Sequence, residues 1–297
     1  MRNTPKLSVR TLACLTLCTY LCVIGERISW AQVTWNIDNT TNIGGNAVTT
    51  VVGSPTVVNT PFGNGLQFDG NDGIIVNANP IAGAASFTIE MLFRPDPIGG
   101  VTAYNQPRVL HVQTANPPDH RATLETRVVG NQWYLDVFLK SQTTGGAVSS
   151  LALIEPNNVH PLGEWYNLAM TYDGSQLRAY VNGVPELSGP LSVIPIITGQ
   201  TSLGMRHNQV NFFVGAIAKV RFTPSIVDPS DFLLSYVPGD FDRNGLVESA
   251  DYDKWASEFG NSVAQAGDGA DGNRSSPLPV ARTRNWQRSR GPAAGCR

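Results

Sequence analysis

The sequence predicts an all-β domain, a sandwich built from short strands. Its strongest signal is Glu164–Gly183, where strand-forming runs at Trp165–Tyr172 and Leu177–Val181 are separated by Asp173-Gly174-Ser175-Gln176 and followed by Asn182-Gly183. Asp-Gly and Asn-Gly dipeptides beside such runs mark hairpins, because glycine supplies the positive φ that tight turns require. The 29 glycines and 20 prolines of the 297-residue chain suit many strands joined by turns. No long segment with helical periodicity precedes residue 228.

Taken in order, strand pieces fall within Val33–Val58 and Gly63–Val76, the latter broken by the turn Asp69-Gly70-Asn71-Asp72-Gly73. Ser86–Arg94 puts Phe87, Ile89, Met91 and Phe93 on one face by strand alternation. Arg108–Gln113 is a further apolar run, and Ala122–Val129 pairs with Gln132–Lys140 across Gly130-Asn131. Ser149–Ile154, Thr201–Met205 and Phe212–Phe222 complete the strands. Asp228 caps a short closing helix with Pro229 in its first turn, running through Phe232–Tyr236.

Four segments organise the chain: a leader at 1–31, the β domain at 33–237, an acidic loop with a helix at 238–260, and a tail at 261–297. In the leader, Arg2, Lys6 and Arg10 precede the apolar run Thr11–Gly25, and Ser29-Trp30-Ala31 offers small residues for cleavage, so export to the cell surface or beyond is expected. Cys14, Cys18 and Cys22 lie in that leader and Cys296 lies near the end, which leaves the β domain without a disulfide framework. A net charge of −2 with 15% charged residues gives no case for nucleic acid or an anionic membrane as partner. From Arg274 onward the composition turns basic and proline-rich with no acidic residue, as in a segment read out of frame or never selected to fold.

Gly65–Val76, Phe87–Phe93, the Trp165–Gly183 hairpin and Phe213–Arg221 together resemble the laminin-G-like, concanavalin A-like lectin/glucanase superfamily. The resemblance spans roughly residues 33–237 and implies a jelly roll of two antiparallel sheets, one of them concave. It also implies glycan or protein binding, often beside calcium, with glycosidases and lyases in the minority.

Asp240, Asp242, Asn244, Glu248 and Asp251 fall at loop positions one, three, five, nine and twelve, with Gly245 at six. That is the spacing by which oxygen ligands surround Ca²⁺, with Leu246 offering its backbone carbonyl. The loop and the helix that follows, Tyr252–Phe259, resemble a type I dockerin repeat. A second repeat begins at Asp271-Gly272-Asn273 and fails, which puts cohesin binding in doubt.

The family's catalytic strand pattern, Glu-x-Asp-x-x-Glu, is absent: Glu90 is alone on its strand, Asp136 has no partner within its own strand, and Glu125 stands near Arg127. These read as solvated residues or ion-pair members, and His111, His120, His160 and His207 lack metal spacing. No catalytic set is therefore assigned. Asp69, Asn71 and Asp72 admit two readings, a second calcium site or a turn closed by Asx side chains. Trp165, Arg178, Tyr180 and Trp133 are the candidate sugar-binding residues, aromatics to stack on rings and an arginine to reach hydroxyls; structural packing is the competing reading. The expected function is non-catalytic recognition of a polysaccharide, glycoprotein or cell-surface protein with calcium as cofactor. A carbohydrate-active enzyme (hydrolase or lyase) and a structural envelope protein are the alternatives.

Overall fold

The computed structural model describes residues 31–97, 106–114, 119–234 and 249–258. The predicted leader, the loop residues 240–248 and the tail lie outside the described residues. In chain order the strands are β1 (Val33–Asn36), β2 (Asn42–Ile43), β3 (Asn46–Val52), β4 (Thr56–Thr60), β5 (Gly63–Asp69) and β6 (Gly73–Val76). Then come β7 (Phe87–Pro95), β8 (Arg108–Gln113), β9 (Arg121–Val129), β10 (Gln132–Gln142), β11 (Val148–Ile154) and β12 (His160–Pro161). The last are β13 (Tyr166–Tyr172), β14 (Gln176–Val181), β15 (Val184–Pro190), β16 (Gln200–Leu203) and β17 (Val214–Thr223), followed by helix α1 (Ser249–Glu258).

These strands form two antiparallel sheets, as a jelly-roll sandwich requires. The first has the order β15-β14-β13-β7-β17-β5-β4, with β1 also on β17; the second has the order β11-β10-β9-β8-β16-β6-β3-β2, with β12 on β10. Consecutive hairpins and long crossovers alternate, so that β7 lies between β13 and β17 rather than beside its neighbours in sequence.

Alternation decides which side chains meet between the sheets. Phe87, Ile89, Met91 and Phe93 of β7 are buried there with Tyr166, Leu168, Met170 and Tyr172 of β13. From the second sheet come Trp133, Leu135, Val137 and Leu139 of β10. Phe93 and Trp133 meet edge to face with ring centroids 5.3 Å apart, and Tyr166 meets Trp133 at 5.1 Å. Edge-to-face pairing of this kind adds to the burial of the rings. The Asp173 turn closes as its residue types dictate: its Oδ1 accepts from the backbone N–H groups of Ser175 and Gln176 at 2.9 and 2.8 Å, and Gly174 takes φ +94°. Asn182 and Gly183 both adopt positive φ, 51° and 77°, the geometry of a two-residue hairpin turn.

Two elements differ from expectation. Asp228 does cap a helical turn, accepting from Ser230 N–H at 2.9 Å, but the turn is only Pro229–Asp231 and Phe232 is already extended. The predicted helix at Phe232–Tyr236 is not formed over its described residues, because the chain there runs across the first sheet. Thr88 Oγ1 accepts from Val227 N–H at 3.0 Å, and the fully buried Glu90 carboxylate accepts from Leu233 N–H at 2.8 Å and from Arg221 at 2.5 Å. Burial pushes the Glu90 carboxyl above its ordinary range, against the pull of those donors. The other difference is β15, a strand the sequence reading did not assign; it stands at the edge of the first sheet, where its prolines need make no ladder bond on the open side. No helix among the described residues is long and apolar enough to cross a membrane.

Candidate functional site

The outward face of the second sheet carries a hollow of about 250 Å³. Cross-strand register builds it in rows. Arg108, Glu125, Asp136 and Ile154 lie side by side across β8, β9, β10 and β11, and His111, Thr123, Phe138 and Ala152 form the next row. Alternation alone would send Arg108 to the opposite face from His111. A bulge between Arg108 and Leu110 inserts one residue, so that Val109 and Leu110 are both buried and Arg108 turns outward. Phe138, Ala152 and Ile154 give the hollow an apolar part beside its charged one.

Its charges are ordered by pairs. Arg108 pairs with Glu125, and Arg127 reaches Oδ2 of Asp136 with Nε at 2.7 Å and Nη2 at 2.6 Å. The Glu125 and Asp136 side chains are only 6% and 5% exposed, so each carboxylate exchanges water for an arginine. Burial raises Glu125 to about 7, with Arg108 opposing and Asp136 reinforcing the shift. Arg121 lies over the Phe138 ring with its guanidinium carbon 4.8 Å from the centroid, and it shares Asp119 with Lys140. Those contacts hold Asp119 below the usual carboxylate range, the hydrogen bond from Lys140 most of all.

His111 is almost wholly buried in the wall of the hollow. Its Nδ1 accepts from the backbone N–H of His207 at 3.2 Å, and its Nε2 has no hydrogen-bond partner among the described residues. Burial, then His207 and the nearby arginines, hold it neutral with a pKa lowered to about 2. A neutral imidazole whose Nδ1 accepts carries its proton on Nε2, which is therefore a donor in search of an acceptor. Arg206 follows Gly204 and Met205 in the loop after β16 and completes the lining.

The residues singled out from sequence fall elsewhere. Trp133 is fully buried between Phe93, Tyr166 and His160, so it offers no face to a sugar; its alternation with Leu135, Val137 and Leu139 puts it in the core. Trp165 and Tyr180 do lie on the outer face of the first sheet, but Trp165 is half-buried and Tyr180 is buried. Trp165 packs edge to face on Phe62 at 5.4 Å with Arg94 over its ring, and Tyr180 packs on Phe232 at 5.4 Å, under the segment that closes the domain. Arg178 pairs with Asp173 at 2.7 Å beside the hairpin turn. The four do not form a common surface.

The Asp69 turn shows the Asx pattern. Asp69 Oδ1 accepts from Asn71 N–H at 3.0 Å, while Asp72 accepts from Ser54 N–H at 2.6 Å and from Asp69 N–H at 3.1 Å. Asp72 thereby ties two turns together, and burial raises its pKa. Among the described residues no three His, Cys, Asp or Glu side chains gather as a metal site. Of the predicted calcium ligands, Asp240, Asp242, Asn244, Leu246 and Glu248 lie outside the described residues. Asp251 is fully buried in the first turn of α1, which begins two residues before it.

Sequence reasoning passed over Arg108, His111, Arg121, Phe138 and Arg206. One signal was present: Arg121, Thr123, Glu125 and Arg127 put polar side chains at every second position, with buried Ala122, Leu124 and Thr126 between them. The two-residue turn at Gly130-Asn131 also fixes Glu125 opposite Asp136.

The sequence pattern of the concanavalin A-like lectin/glucanases superfamily matches residues 68–231, more than half of the chain, and the chain belongs to that family. A search of the curated proteins found no match. Among solved structures, the chain is similar to domain 4 of a GH43 extracellular arabinanase from Geobacillus stearothermophilus in complex with arabinotriose. That similarity has a TM-score of 0.44 and 17% identity, and covers 67% of this chain and 94% of that one. It is also similar to the CBM40 of a Ruminococcus gnavus sialidase bound to α2,3-sialyllactose, with a TM-score of 0.43 and 18% identity over 57% of this chain and 94% of that one. A third similarity is to the binding domain of botulinum neurotoxin serotype G, with a TM-score of 0.47 and 12% identity, covering 76% of this chain and 52% of that chain.

Proposed function

We propose that this protein is an exported, non-catalytic glycan-recognition protein that seats sugar residues in the hollow on the outward face of its second sheet. The observation that carries this reading is the lining itself: rigid strand residues supply fixed donors from Arg108 and His111 beside the apolar Phe138, Ala152 and Ile154. A sugar ring has hydroxyls at its rim and C–H groups on its faces, and a small number of placed polar groups beside apolar surface suits both. Export rests on the leader-like residues 1–31. Calcium belongs to the reading through Asp240, Asp242, Asn244, Leu246, Glu248 and Asp251, whose oxygen donors and spacing fit a hard cation.

The test is a glycan array with the full chain, run with and without calcium. Binding to a defined set of glycans is expected, and no binding in either condition would remove the proposal.

A second reading is favoured by one observation. Glu125 and Asp136 stand opposite each other on neighbouring strands, a placement that puts two carboxylates on one face of the sheet, as a hydrolytic pair requires. Against it, both carboxylates are engaged by arginines. Release of reducing ends from a polysaccharide panel, abolished by Glu125→Gln, would favour hydrolysis.

A further inference from the structure

We propose that the groove selects sugars bearing an acidic group, and that Arg206 is the side chain that takes that group. This rests on the glycan-binding reading and narrows it to a ligand class.

Four arginines line the hollow against two carboxylates. Arg108 is committed to Glu125, Arg127 to Asp136, and Arg121 to Asp119 and the Phe138 ring. Arg206 has no carboxylate partner among the described residues, yet its backbone is held: its N–H donates to Val210 O at 2.9 Å and its carbonyl accepts from Gln209 N–H at 2.8 Å. Gln209 and Asn211 both take left-handed φ, 60° and 57°, which closes this turn tightly. The guanidinium is thus presented from an ordered turn rather than from a long mobile segment.

The charge left unpaired in the hollow is one-sided. Arginine donates and never accepts, and the free position of buried His111 is its Nε2, also a donor. Glu125 is engaged by Arg108 at Oε2 and Asp136 by Arg127 at Oδ2, so both carboxylates are already charge-compensated. A neutral sugar brings hydroxyls but no charge to set against an unpaired guanidinium. A carboxylate or sulfate ester brings only acceptors and carries the charge that an unpaired guanidinium lacks. The positive field is also felt within the site, since the arginines help hold His111 neutral. The shared chemistry is an anionic substituent on a sugar ring, from a uronic acid or from a sulfate ester.

Isothermal titration of the full chain compares three probes: oligogalacturonate for the carboxylate, a chondroitin sulfate oligosaccharide for the sulfate, and cello-oligosaccharide as the neutral control. Each is run at low and high NaCl on the wild type and on Arg206→Ala, with thermal unfolding to confirm that the variant is folded. At least one acidic probe is expected to bind, to weaken with salt, and to lose about tenfold in affinity in the variant. The arm that binds identifies the source of the charge. Equal or tighter binding of the neutral probe, or acidic binding indifferent to Arg206→Ala, would overturn the inference while leaving glycan recognition standing. No binding to any probe, together with a blank glycan array, would remove both.

Discussion

Glu125 and Asp136 face each other across β9 and β10, and each is held by a different arginine, Arg108 from β8 and Arg127 from β9. This arrangement sets two acidic groups at the centre of a basic hollow and fixes the arginines by ion pairing. The carboxylates thus position Arg108 and Arg127, which line the hollow.

Affinity for an acidic oligosaccharide should depend on pH through Glu125. Arg108, Arg127, Asp136 and Thr123 face this carboxyl, and burial is the main cause of its rise to about 7. Its folded pKa lies above the ordinary value, so it gains a proton as pH falls through 7, leaving Arg108 uncompensated and the hollow more positive. Binding of an acidic probe is therefore expected to strengthen from pH 8 to pH 6. Titrations at both values should show a flat response in Glu125→Gln.

Glu90 holds the segment that closes the domain. Its carboxylate is fully buried between Arg221 and Leu233 N–H. Glu90→Ala would leave Arg221, itself only 13% exposed, without its partner, at a cost of about 3 kcal/mol. Urea unfolding measures this, and the same substitution should uncover Tyr180.

Gly204 stands at the entrance to the Arg206 turn with φ +76°, and a Cβ there would lie 2.4 Å from Phe68 Cδ1. Gly204→Ala combines backbone strain with a core clash and is expected to destabilise the fold by roughly 2 kcal/mol or more. Thermal unfolding of that variant is the check.

The acidic loop makes a separate prediction. Replacing Asp240 and Asp242 by Ala removes two of the six proposed ligands and two formal charges. Calcium titration of the full chain should then lose its tightest site. An unchanged isotherm would exclude this loop as the site.

Much of the fold was legible in the sequence because strand alternation and turn chemistry are local. The Trp165–Gly183 hairpin and the Gly130-Asn131 turn form as their residues dictate, the former with β13 starting at Tyr166. What escaped depends on neighbours distant in the chain. Val184–Pro190 carries no strand signal of its own and pairs only as the edge of the first sheet, while Trp165 and Tyr180 read as a surface until Phe62 and Phe232 pack on them. The hollow was the hardest to see. Its Arg108 depends on a bulge, and Arg206 reaches it from a loop nearly a hundred residues further on.

The most direct test of the account compares two variants in one glycan-binding titration. Phe138→Ala alters the hollow on the second sheet, and Arg178→Ala alters the outer side of the first. With both confirmed as folded, binding is expected to fall about tenfold or more in Phe138→Ala and to stay at the wild-type level in Arg178→Ala. Full binding by Phe138→Ala with loss in Arg178→Ala would contradict the account and place recognition on the opposite face.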